Sequence, residues 1–224
     1  MRRTVIVAGG TGGLGSAVTA EFLAAGWRVV VPGRNETSLA ALGTNEALYP
    51  LVADVSDPAG AADVVALATS DEEAPLHALV NLVGGFASGG RVHETPIEEF
   101  ESQFSLNLRP AYLMTQAAVP HLIAGGGGAI VCTSSRSALR PFPGAAGYIT
   151  SKAGVLAFVD ALAVEYSGDG IRVNAILPGT IDTPANRAAR PGADTSTWTQ
   201  PTRIADIIRI LAETEGLTGA HIPV

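Results

Sequence analysis

A run of mostly β-branched residues, Thr4 to Ala8 (TVIVA), feeds directly into Gly9-Gly10-Thr11-Gly12-Gly13-Leu14-Gly15, and a helical pattern follows over Ser16 to Ala25. Strand, glycine loop and helix in that order leave few folds open. Five glycines in seven positions let the backbone turn tightly and keep side chains off the loop. The loop N–H groups and the N-terminus of the following helix are then free to receive an anion, and a pyrophosphate fits that arrangement. The loop reads in two registers. Gly10, Gly12 and Gly15 give G-x-G-x-x-G; Gly9, Gly13 and Gly15 give G-x-x-x-G-x-G.

The alternation continues along the chain. Strands are expected at Arg28 to Val31, Leu48 to Val52, Ala78 to Val83, Ala129 to Thr133, Ile171 to Leu177 and Thr218 to Val224. Helices are expected from Asp57-Pro58 to about Thr69, from Pro96 to Ile123 with a break, over Gly147 to Tyr166, and from Pro201 to about Glu213. Residues 178–200 read as irregular. Strands apolar almost throughout belong to a parallel sheet covered on both faces. The expected fold is α/β, a Rossmann-type doubly wound parallel sheet of about seven strands. It forms one dinucleotide-binding domain over residues 1–224, with a cofactor half to about 130 and a catalytic and substrate half beyond. Ligands in such sheets bind at the carboxyl ends of the strands. The glycine loop, Gly84, Ser135 and Pro178 all fall at such ends.

Composition removes several alternatives. Net charge is −7, and no basic run exists beyond Arg2-Arg3, so a nucleic-acid partner is not expected. No apolar stretch of about 18 residues is evident, so no membrane span is expected. A lone Cys132 in an apolar run and the lack of a signal-peptide pattern point to a cytoplasmic protein. The four histidines show no metal-ligand spacing.

Tyr148 and Lys152 stand four residues apart, on one face of the expected helix. Tyrosine ordinarily titrates near pH ~10. A cation about 4 Å from a phenol, at an effective dielectric near 20, favours phenolate by roughly 4 kcal/mol. That suffices to make a tyrosine a working acid or base. The chain has one lysine, Lys152, against thirteen arginines. The second strand ends in Pro32-Gly33-Arg34-Asn35. In dinucleotide folds this point selects the cofactor: NAD asks for an acid, which Gly33 does not offer, and Arg34 suits a 2′-phosphate. NADP(H) is therefore favoured, with NAD(H) as the alternative.

Taken together, these residues resemble the short-chain dehydrogenase/reductase family over nearly the whole chain. Gly9, Gly13 and Gly15 match its T-G-x-x-x-G-x-G loop, with Ala8 in place of threonine. Asn81-Leu82-Val83-Gly84 stands where the family has N-N-A-G, and Ser135 precedes Tyr148 by thirteen residues, as in the family. Asn107, Asn174 with Pro178-Gly179, and Thr183 complete the series. The resemblance implies that Tyr148 is the acid/base and that Lys152 lowers its pKa and binds the nicotinamide ribose. It implies that Ser135 bonds the substrate oxygen and that Asn107 holds a proton-relaying water. It places the cofactor against Thr11, Gly12, Leu14, Asp54, Val55, Asn81, Val83, Gly84, Pro178, Gly179 and Thr183. For Asp54, a turn or helix-entry role is the alternative.

The implied activity is hydride transfer between nicotinamide and a small-molecule carbonyl or secondary alcohol, of the ketone or 3-oxoacyl type. Two rivals remain: a pterin reductase resembling dihydropteridine reductase, suggested by 84–90 and 182–187 with Trp198, and a non-catalytic dinucleotide sensor. Phe86, Arg136, Phe142 and 183–200 are expected to line the substrate pocket. A homodimer or homotetramer is expected, through an outer helix face carrying Val155, Phe158, Val159 and Leu162. Many relatives continue past the position of Val224 with a Gly-Gly tail that helps close the site or the tetramer.

Overall fold

A computed structural model describes residues 2–224. The strands are β1 (Thr4–Ala8), β2 (Arg28–Gly33), β3 (Leu48–Val52), β4 (Leu76–Asn81), β5 (Gly128–Thr133), β6 (Ile171–Leu177) and β7 (His221–Pro223). They form one seven-stranded sheet in the order β3-β2-β1-β4-β5-β6-β7. Every pairing is parallel. The order reverses between β1 and β4, which opens the crevice where doubly wound sheets bind ligands.

Period two within each strand explains why the strands are apolar throughout. Val5, Val7, Val29, Val31, Val80 and Val131 face one layer, and Ile6, Ala8, Val30, Leu79 and Ile130 face the other. The first layer is α1 (Gly15–Ala24), α2 (Glu36–Ala40) and α8 (Pro201–Glu213). The second is α3 (Pro58–Ala68), α5 (Arg109–Ala124) and α6 (Ala146–Glu165), with α4 (Ile97–Asn107) packed on α5 and α6. A short α7 (Pro184–Ala189) lies between β6 and α8.

Several helix ends follow from sequence chemistry. Asp57 N-caps α3, accepting a hydrogen bond from the Ala59 N–H, and Pro58 occupies the first turn. Pro110 cannot donate a backbone N–H, so the α4 ladder stops at Asn107 and α5 starts afresh. Two strand arginines, Arg28 buried and Arg172 half-buried, close helix C-termini. Arg28 donates to the carbonyls of Leu67 (2.9 Å) and Ala68 (3.1 Å) at the end of α3, and its guanidinium lies 4.1 Å from the Tyr49 ring centroid. Arg172 donates to Leu211 (2.6 Å) and Ala212 (2.8 Å) at the end of α8. Each brings positive charge to the negative end of a helix dipole.

Some expectations need correction. Val155, Val159 and Leu162 do not form an outer face. Their exposures are 1%, 0% and 5%, because the i, i+4, i+7 stripe is the one α6 lays on the sheet. Only Phe158 of that group reaches outward, 5.9 Å from the Tyr112 ring. The 178–200 segment holds a helix, α7, N-capped by Thr183. A five-residue helix, α2 (Glu36–Ala40), capped by Asn35, follows β2 where the sequence reading placed no element. Finally, α6 has the length and composition of a membrane span, with a mean hydropathy of 1.3. The apolar stripe of α6 is laid on the sheet, as in a core helix, so this stretch is not evidence of a span.

Candidate active site

The glycine loop brings the start of α1 against its own backbone. A Cβ on Gly15 would lie 2.0 Å from the Gly9 carbonyl oxygen, so no side chain fits there. Leu14, at the N-cap, is already helical and makes no side-chain capping bond. The Ser16 N–H bonds the Gly12 carbonyl (2.8 Å), and no side chain caps the other N–H groups at the start of α1, which leaves those for a ligand. Gly13 packs against the Thr183 side chain, which ties the loop to the segment after β6.

A cavity of about 320 Å³ runs from this loop along the ends of β2 and β3. Gly9, Thr11, Gly12, Gly33, Arg34, Asp54, Val55, Val83 and Gly84 line it. Arg34 is its one cationic lining residue and Asp54 its one acid. The Asp54 carboxylate is already engaged with the Ser56 N–H (2.9 Å) and hydroxyl (2.6 Å). Those bonds, with Arg34 nearby, hold its pKa below the usual carboxylate range. Asp54 Oδ1 thus performs the turn role, while the residue also lines the cleft.

A second cavity, about 530 Å³, shares Leu82 and Gly84 with the first. It is lined by Leu14, Phe86, Ser135, Arg136, Phe142, Tyr148, Lys152, Pro178 and Gly179, among others. The Arg136 N–H donates to the Pro178 carbonyl (3.0 Å), which draws the ends of β5 and β6 together. Ser135 Oγ accepts from the Ser137 N–H (3.2 Å) and hydroxyl (2.8 Å). With its acceptor capacity used there, its own O–H is available to donate into the cavity. Phe86 stands edge-on to Tyr148, ring centroids 4.9 Å apart.

Lys152 is 4% exposed. Its ammonium donates to the Thr133 carbonyl (3.0 Å), and burial pushes its pKa down to about 8. Asn107, 1% exposed, accepts from the Gly85 N–H (3.0 Å) and donates to Ser151 Oγ (3.2 Å). Ser151 in turn donates to the Tyr148 carbonyl (2.8 Å). Gly84 lies between the two polar groups: a Cβ there would sit 2.6 Å from Asn107 Oδ1 and 2.9 Å from Lys152 Nζ. Asn107, Gly84 and Lys152 therefore form one packed unit.

Four expected cofactor residues line neither cavity: Gly13 and Gly15 within the glycine loop, Thr183 packed on Gly13, and Asn81. Asn81 is buried, its amide donating to Cys132 Sγ (3.7 Å), and it lines neither cavity. It is the last residue of β4, paired with Cys132 of β5, and its side chain stays within the sheet. Thr183 Oγ1 accepts from the Asn186 N–H (3.2 Å), capping α7, and also lines neither cavity. Burial pushes the Cys132 thiol up to about 11, so it is a structural group. Residues not singled out from sequence also enter: Ser137 and Ser151 as hydrogen-bond partners, and Arg140 and Ile181 in the cavity wall. From the expected 183–200 segment, Asn186 and Arg190 line the cavity.

A family profile described as short chain dehydrogenase matches residues 3–194. The chain belongs to that family. This dehydrogenase is 35% identical to a 2-(R)-hydroxypropyl-CoM dehydrogenase of Xanthobacter autotrophicus over 192 residues, covering 82% of this chain and 76% of the relative. Its fold is similar to that of NADP-bound ElxO, with a TM-score of 0.91 at 25% identity over 100% of this chain and 97% of that one. It is also similar to a 3-ketoacyl-(acyl-carrier-protein) reductase from Brucella melitensis complexed with NADH. There the TM-score is 0.89 at 25% identity, over 99% and 96% of the two chains. Short-chain dehydrogenases are nicotinamide-dependent oxidoreductases, and this chain shares that class of activity.

Proposed function

We propose that this dehydrogenase transfers hydride between NADP(H) and a ketone or secondary alcohol. The observation that carries the proposal is the placing of Ser135, Tyr148 and Lys152 in one cavity, continuous through Leu82 and Gly84 with the cleft beside Arg34. The chain fits a dinucleotide on its own evidence. Gly15 admits no side chain where the backbone must close, and the α1 N-terminus has no capping group. When bound, the nicotinamide supplies or accepts the hydride.

The remaining roles belong to the chain. Ser135 donates a hydrogen bond to the substrate oxygen and steadies its negative charge during reduction. The Tyr148 hydroxyl gives that oxygen its proton, and takes it back during oxidation. Lys152, held by the Thr133 carbonyl in the same cavity as Tyr148, would bind the nicotinamide ribose. Asn107, fixed by Gly85 and Ser151, positions the water that returns the proton. Residues 1–224 act as one domain, in the cytoplasm and as a two-fold oligomer.

The relatives described above bind different nicotinamides, so the preference for NADP rests on Arg34 and on the engagement of Asp54 with Ser56. A charge-assisted pair with a 2′-phosphate is worth about 1.5–3 kcal/mol. Arg34→Ala should weaken NADPH by roughly 10- to 100-fold and leave NADH little changed, measured as KM and Kd. Equal loss for both would sink the assignment. Turnover with NADPH and NADH against ketones, a 3-oxoacyl thioester and a quinonoid pterin tests the reaction class. No turnover with any of them would refute it.

A further inference from the structure

We infer that the substrate carries an oxyanion, such as a carboxylate or a phosphate, and that Arg140 and Arg190 hold it at the wall of the Ser135–Tyr148 cavity. The inference rests on the oxidoreductase reading of that cavity and narrows its substrate class. Arg136, Arg140, Arg190 and Lys152 line the cavity, and no aspartate or glutamate does. The chain as a whole has the opposite balance, 21 acids against 14 bases. A pocket that gathers cations in an acidic protein focuses a positive field on whatever enters it.

The acid nearest in sequence to Thr180 and Ile181 of the wall is already neutralised. Asp182 accepts from Arg187 (2.7 Å) and from the Gln200 amide (2.7 Å), and it does not line the cavity. Arg187 is thereby used up as well. Arg136 donates to the Val224 carbonyl oxygen (2.6 Å) and lies against Gly179, so part of its fork is engaged. Lys152 is held by Thr133. Arg140 and Arg190 remain. Among the described residues neither has an acidic partner, and the one side-chain bond between them is a long 3.4 Å contact from Arg190 to the Thr180 hydroxyl.

They come from different segments. Arg140 follows the turn that carries Ser135, and Arg190 is the C-cap of α7. Two unspent guanidiniums on separate segments can grip one oxyanion with paired N–H donors, which is what a guanidinium fork does best. Phe86 and Phe142, 6.2 Å apart, give the same cavity an apolar wall for the carbon body. The cofactor does not account for this charge. Its phosphates belong at the glycine loop, and neither arginine lines the cleft there.

The test uses two matched pairs of ketones with NADPH: 3-oxobutanoate against its methyl ester, and dihydroxyacetone phosphate against dihydroxyacetone. The quantity read is the ratio of kcat/KM for the charged over the neutral member. In at least one pair the wild-type ratio should exceed about tenfold and fall as salt is added. The pair that shows it identifies carboxylate or phosphate. The ratio should drop by about tenfold or more in Arg140→Ala/Arg190→Ala, and be partly restored in Arg140→Lys/Arg190→Lys. A wild-type ratio at or below one in both pairs overturns the inference. So does a ratio unchanged in the double alanine variant. If no ketone in the set is turned over, calorimetric titration of 3-hydroxybutanoate and glycerol 3-phosphate into the NADP-loaded protein decides. Binding weakened by the alanine pair supports the inference; no binding, or binding that the pair leaves unchanged, overturns it. The oxidoreductase reading fails separately, through absence of turnover with neutral ketones as well.

Discussion

Lys152 carries the sharpest consequences of any single residue. Its ammonium lies against Gly84, where an added Cβ would sit 2.9 Å away, and bonds the Thr133 carbonyl. A guanidinium is planar and bulkier, and cannot take that place. Lys152→Arg should lower turnover by at least ~100-fold, the scale of lost general acid–base catalysis. The thermal midpoint should move by no more than a few degrees. Near wild-type turnover would remove the proposed role. A second outcome follows from burial. The folded chain releases the Lys152 proton at about 8, whereas the ordinary lysine value is 10.5. Between those values the unfolded chain holds more protons, so this residue's contribution to stability rises with pH across that window. Below about 8 the cost of burying the charge is felt in full. The difference in thermal midpoint between wild type and Lys152→Met, each without cofactor, should therefore shift toward wild type from pH 8 to 10. A pH-independent difference would contradict this. The Tyr148–Lys152 spacing was visible in the sequence because both sit on one helix. Ser137 and Arg140 were not, since they reach the cavity through turns that no local pattern announces; Arg190 was covered only by the broad 183–200 segment.

At the scale of elements, the two strand arginines do similar work on opposite layers. Arg28 from β2 closes α3 and Arg172 from β6 closes α8, each meeting the last carbonyls of a helix it does not adjoin in sequence. Arg28→Ala removes donors from buried carbonyls and the contact with Tyr49. It should cost about 2–4 kcal/mol, read as a lower urea midpoint, with faster amide exchange at the end of α3. A change within about 0.5 kcal/mol would show that water replaces the guanidinium there. Strand and long-helix positions were legible in advance, because period two and period 3.6 are strong signals. The short α2 and α7 were not: five and six residues hold too few turns to show a period. The face of α6 was misassigned because an apolar stripe looks the same whether it meets a sheet or a partner. Topology alone showed that the sheet already takes Val155, Val159 and Leu162.

At the scale of the whole molecule, the reversal of strand order between β1 and β4 sets cofactor cleft and reaction cavity side by side. The outer surface of α5 and α6 is then left for assembly. It carries Tyr112, half exposed, stacked near Phe158, with Val164 at 79% exposure further along α6. We expect a dimer or tetramer through this surface, given its apolar residues. Light scattering at micromolar concentration should give a multiple of the 22.8 kDa chain mass, and Tyr112→Glu should reduce it. A monomeric wild type would refute the expectation.

The burial of the chain's sole lysine also makes the protein unusual toward amine chemistry. With thirteen arginines and no other lysine, every side-chain amine in the molecule is the one beside Tyr148. Besides the α-amino group, acylating reagents aimed at lysine therefore find one side-chain nucleophile, inside the site. That nucleophile is substantially uncharged by pH 8, where ordinary lysines are still protonated. Acylation mapped to Lys152 by peptide mass, apart from that of the α-amino group, would thus report whether the cavity is open or filled.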